Sequence, residues 1–150
     1  MADSIRQQII NAVDTRLKTI KIINGYETDA GLNVFHYKEN PFEQDKFLCI
    51  EYRDVNDYPE DLSFGLFLHT ITLEIRAYAN GITIDKTARK LKADIEKAIN
   101  TDLTWGGLAE DTKQINASQD ISMEHKEKKI VGVLFICSIE YTSNRFDPYA

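Results

Sequence analysis

Between residues 66 and 79 apolar and polar side chains alternate. Phe67, His69, Ile71, Leu73 and Ile75 fall on one side, and Thr70, Thr72, Glu74 and Arg76 on the other. A strand sends successive side chains to opposite faces, so this segment reads as a long strand with one buried and one wet face. Such a strand belongs to an antiparallel sheet that needs a cover on one side. Two amphipathic stretches can supply it. In residues 4–20, Ile5, Ile9, Ala12, Val13, Leu17 and Ile20 recur at helical spacing, while Arg6, Gln7, Asp14 and Lys18 take the wet side. Ser4 with Gln7 fits a capping box, and Asn24-Gly25 stops the helical run. In residues 84–100, Ala88, Leu91, Ile95, Ala98 and Ile99 form a second stripe, with Thr83 as cap and Asp85/Arg89 and Lys92/Glu96 as charge pairs. Neither helix can bury its stripe alone, so both are expected on the same face of the sheet.

Further strands are expected at 34–37, 46–53, 112–126 and 129–143, the last two joined by a charged tip, Glu127-Lys128. In 129–143 both faces are apolar at the middle, through Val133, Phe135, Cys137 and Ile139 on one side and Leu134 and Ile136 on the other. That places it inside the sheet. The fold class is therefore α+β: a mostly antiparallel four- to five-stranded sheet with two amphipathic helices on one face. The 150 residues read as one domain, 1–150, with a flexible tail at 144–150 that carries Phe146 and Tyr149. Residues 54–65 read as a long loop of about a dozen residues, acidic through Asp54, Asp57, Glu60 and Asp61.

The formal net charge of −6 is the wrong sign for a protein that grips nucleic-acid phosphates. The first residues hold no apolar leader-like run, and the longest apolar run, 131–139, is far shorter than the about 20 residues of a membrane span. A reducing compartment is expected, with Cys49 and Cys137 as buried thiols.

Candidate chemistry is sparse. His36, His69 and His125 are not spaced as paired zinc ligands. His69, on an apolar strand face, reads as a hydrogen-bonded core or interface residue. Asp54-Val55-Asn56-Asp57 starts like a calcium loop, but Tyr58 and Pro59 stand where a ligand and a glycine are needed. No glycine-rich phosphate cradle and no Gly-x-Ser-x-Gly elbow is present. No cofactor, no metal and no enzymatic activity are expected. Lys126, Lys128 and Lys129 alternate with Glu124 and Glu127, as in a wet turn that discourages edge aggregation. Trp105 admits two readings: an anchor on a partner, or a plug at the end of the core.

One stretch is more distinctive. After the first helix runs Asn24-Gly25-Tyr26-Glu27-Thr28-Asp29-Ala30-Gly31-Leu32-Asn33-Val34-Phe35, and after the second comes Thr104-Trp105-Gly106-Gly107-Leu108-Ala109. This order resembles small tail proteins of long-tailed bacteriophages, most closely the tail-terminator or minor tail protein U-like family, over most of the chain. The resemblance implies a homo-oligomeric ring, a hexamer on the tail, that sits on the finished end of the tail tube. There it stops further subunits from adding and gives the head a docking surface. The implied partners are further copies of the chain, the tail tube protein and the head–tail connector or neck proteins. DNA would pass through the lumen without specific binding, and no membrane is involved. The implied location is the virion tail, with assembly in the host cytoplasm. Asp54, Asp57, Tyr58, Glu60, Asp61, Trp105, Phe146 and Tyr149 are the candidate interface residues, together with the 24–33 loop. A neck or head-closure protein is an alternative within the virion. A small α+β ligand- or protein-binding module is an alternative of another class.

Overall fold

The computed structural model describes residues 3–36, 48–62, 65–80, 84–125, 128–145 and 147–150. Helix α1 (Ile5–Leu17) and helix α2 (Ile84–Asn100) accompany five strands: β1 (Val34–His36), β2 (Cys49–Asp61), β3 (Leu66–Asn80), β4 (Asp111–His125) and β5 (Lys128–Asn144). The strands form one sheet in the order β1-β2-β3-β5-β4. β5 is interior, flanked along its length by β3 and β4, as its two apolar faces require. The fold is α+β, but the sheet is mixed. β1 runs parallel to β2, with Val34 opposite Ile50 and His36 opposite Tyr52. The alternation pattern shows which face a residue takes and is blind to strand direction. Among the described residues three of the four strand pairings are antiparallel, in line with a mostly antiparallel sheet, and alternation alone does not reveal the parallel one.

A correction concerns residues 54–65. Residues 54–61 are strand, continuing β2 to Asp61 opposite Phe67 of β3. Long β3 offers a partner for each of these residues except Val55, and pairing overrides the turn propensity of Asp, Asn and Pro. Among the described residues β1 covers only 50–52, so Pro59 lies on a stretch of β2 that β1 does not flank, where a missing N–H is tolerated.

One face of the sheet is closed by the helices. Ile71, Leu73, Ile75 and Ala77 of β3 and Val133, Phe135, Cys137 and Ile139 of β5 form one cluster with Ile9, Val13 and Leu17 of α1 and Leu91 and Ile95 of α2. The other face carries Thr70, Thr72, Glu74 and Arg76, half-buried as the alternation predicts. Cys49 and Cys137 are buried free thiols, and burial pushes Cys137 up to about 12. Ser4 caps α1 by accepting from the Gln7 N–H at 3.2 Å; the Gln7 side chain donates to Asn11 instead of closing the capping box. The Thr83 cap and the Glu127 tip lie outside the described residues, as does Phe146. The expected free tail is folded back. Asn144 N donates to Ala150 O, Arg145 N to Gly65 O, and Ile5 N at the start of α1 to Pro148 O. Among the described residues no helix is long and apolar enough to cross a membrane.

Candidate functional site

The acidic stretch of β2 forms a charged corner with the start of α1. A bulge between Asp54 and Asn56 adds one residue, Val55, and shifts the parity of the strand. Asp54 lies opposite Leu73 and Asp57 opposite Ile71, so two carboxylates three residues apart reach the same face, the one that α1 covers. Arg6 of α1 takes both. Its Nε donates to Asp54 Oδ2 at 2.8 Å, its Nη2 lies 2.6 Å from the same oxygen, and its Nη1 donates to Asp57 Oδ2 at 3.4 Å. Burial opposes ionisation of Asp54, but the hydrogen bond and charge of Arg6 outweigh it and hold the carboxyl below its ordinary range. His36 of β1, stacked on Tyr52 at 4.7 Å, approaches the other oxygen of Asp54 at 3.5 Å.

Next to this pair stands His69. Its Nδ1 is 3.0 Å from Asp57 Oδ1 and its Nε2 is 2.8 Å from Ser143 Oγ, and its ring stacks on Tyr141 at 4.6 Å. An ionised carboxylate only accepts, so Nδ1 donates to Asp57, and in the neutral imidazole Nε2 is then the acceptor for the Ser143 hydroxyl. This is the carboxylate–imidazole–hydroxyl order of serine hydrolases. Access decides against that chemistry. Ser143 is only 3% exposed and sits within β5 opposite Phe67. A nucleophile must reach a carbonyl carbon, and this hydroxyl is closed in by its own sheet. The relay ties α1, β2, β3 and β5 together at one corner. Among the described residues no group of three or more His, Cys, Asp or Glu side chains could hold a metal.

Tyr58, Glu60 and Asp61 lie further along β2, beyond the corner. Tyr58 is 61% exposed, and Glu60 and Asp61 are exposed. The interface residues expected on this segment therefore separate into two sets. Asp54 and Asp57 are engaged internally, whereas Tyr58, Glu60 and Asp61 are presented outward. Tyr149, 54% exposed on the folded-back tail, is also presented.

Trp105 is a plug. It is 2% exposed, its Nε1 donates to Thr112 Oγ1 at 2.8 Å, and the Arg16 guanidinium lies 3.8 Å above its ring. Its φ of 54° is in the left-handed region, followed by Gly106 at 73° and Gly107 at 88°. Asp102 holds this turn by accepting from Thr104 Oγ1, Thr104 N and Gly106 N, and those hydrogen bonds pull its carboxyl down to about 2. An open cleft of about 590 Å³ lies beside it, lined by Ala12, Arg16, Tyr26 and Trp105 among others.

The 24–33 segment is pinned on both sides. Gly25 has φ 89° and its carbonyl accepts from Lys97 Nζ. Asp94, buried on α2, accepts from Glu27 N, Thr28 N and Thr28 Oγ1. Asp29 Oδ1 accepts from Ile22 N, and Gly31 rests on the end of α1. A Cβ at Gly31 would lie 2.7 Å from the carbonyl oxygens of Ile20 and Leu17.

No protein-family model and no curated protein matches the sequence.

Proposed function

We propose that the protein is a structural component of a long-tailed bacteriophage tail, acting as its terminator. In this role copies of the chain form a ring on the finished end of the tail tube, block further addition of tube subunits and present a docking surface to the neck. The observation that carries this proposal is the α1–β1 connection. The residues through which the sequence resembles the tail-terminator family are those whose side chains or backbone freedom the connection needs: Gly25 for its positive φ, Asp29 for the Ile22 N–H, and Gly31 for close approach to α1. Trp105-Gly106-Gly107, the second resembling patch, holds three successive left-handed residues that bury the indole. A family pattern that rests on such backbone demands is harder to meet by chance than one that rests on composition. The buried Ser143 hydroxyl fits a chain that works by shape and surface.

The test is deletion of the gene in the parent phage or prophage, with tail-tube lengths measured by electron microscopy. Overlong tubes without heads are the expected result. Tubes of normal length that fail to join heads would reassign the chain to the neck.

A further inference from the structure

The chain carries two complementary surfaces, one on the outer stretch of β2 and one on helix α2. At the β2 edge, beyond the Arg6 corner, Tyr58 and Leu62 are exposed to 61% and 39%, and the exposed carboxylates Glu60 and Asp61 accompany them. Tyr58 and Glu60 lie opposite Thr70 and Leu68, on the face of the sheet away from the helices, and Asp61, opposite Phe67, follows them on the other face. On the helix-covered face α2 packs chiefly on β5, and its outer surface is basic. Among its described, unburied side chains Lys86, Arg89, Lys90, Lys92 and Lys97 are cationic and Glu96 alone is anionic, while Asp94 is buried under the 27–28 loop. A shallow groove on this surface is lined by Arg89, Lys92, Ala93 and Glu96. A chain of net charge −6 thus gathers five of its 18 cations on one helix.

α2 packs on β5, β3 and β4 and not appreciably on β2, so one copy does not bring the two surfaces together. A second copy can. Unlike, non-overlapping patches on one chain are the requirement for a heterologous, head-to-tail contact, which closes into a ring when the rotation allows.

We propose that the Tyr58–Glu60–Asp61 edge of one copy docks on the Arg89–Lys92 groove of α2 in the next. Tyr58 supplies the apolar anchor, and the carboxylates meet the cations. The biological purpose of this contact rests on the ring proposed above; the contact itself is tested on the purified chain alone. Three preparations are compared by sedimentation at about 0.02 M and about 0.5 M salt: wild type, Glu60→Lys with Asp61→Lys, and Arg89→Glu with Lys92→Glu. The wild type is expected to associate more strongly at low salt, and each double variant to associate about 10- to 100-fold more weakly. An equimolar mixture of the two double variants is expected to recover association, because the reversed edge of the first meets the reversed groove of the second, and the unaltered edge of the second meets the unaltered groove of the first. As a second measurement, Glu60→Cys and Lys92→Cys variants are mixed under oxidation. Cys49 and Cys137 are buried and do not compete. Preferential 60–92 disulfides between chains are expected. Random pairing, or a mixture no more associated than its components, would overturn the contact and leave the terminator proposal to the deletion experiment.

Discussion

At the scale of single residues, the close approaches make the sharpest predictions. Gly31 has no room for a methyl group against three backbone carbonyls, including that of Lys18 at 2.8 Å. Gly31→Ala should destabilise the fold by about 1–3 kcal/mol, as overpacking does, read as a lower midpoint in urea with an unchanged slope. Gly31→Ala with wild-type stability would mean that the α1–β1 connection is looser than the structure has it. Trp105→Ala removes the plug and leaves the Thr112 hydroxyl without its indole donor; a loss of about 3–5 kcal/mol is expected in the same assay. Ser143 should remain unlabelled by a fluorophosphonate that modifies activated serines, because its hydroxyl is buried. Stoichiometric labelling would revive the hydrolase chemistry that the Asp57–His69–Ser143 order invites. The acid response follows from Asp54 and Asp102, both with folded pKa values below their ordinary range. A depressed carboxylate contributes stability that is present above its unfolded pKa of about 3.9 and lost as pH falls through the folded value. Stability should therefore decline below about pH 4, and Asp54→Asn should flatten that decline in acid-denaturation curves. An unaltered acid limb in Asp54→Asn would remove Asp54 from that account.

At the scale of elements, periodicity made most of the fold legible. The stripe at 84–100 became α2, the alternation at 66–79 became β3, and the doubly apolar 129–143 became interior β5. Two elements escaped for physical reasons. Residues 54–61 hold Asp54, Asn56, Asp57, Pro59, Glu60 and Asp61, whose local preferences favour turns, yet β3 recruits them by pairing, a long-range effect that no local window contains. The bulge at Val55 broke the alternation that would have marked a strand. The direction of β1 was hidden because faces alternate identically in parallel and antiparallel strands. The candidate site was legible in part. His69 was recognisable as a bonded histidine on an apolar face, and Tyr58, Glu60 and Asp61 as surface residues. Arg6 and Ser143 were not recognisable, since they meet their partners across 48 to 74 positions of sequence and no spacing rule spans that distance. The corner also separates Asp57 from the outward-facing set. Charge reversal at Asp57 would unbalance Arg6 and His69, so Glu60 and Asp61 are the positions at which surface function can be changed without breaking the tie.

At the scale of the whole molecule, a rigid helix-backed sheet carries an anionic aromatic edge and a cationic helix on opposite sides. In the proposed role these two surfaces would join copies of the chain at the end of the tail tube. The most direct test of that role is made outside the phage. Tail tube protein from the parent is allowed to elongate in vitro, the purified chain is added at increasing concentration, and tube lengths are measured by electron microscopy. The account predicts that elongation stops in a dose-dependent way, with the chain found at one end of each arrested tube. Tubes that keep lengthening at an unchanged rate, with no chain at either end, would contradict it.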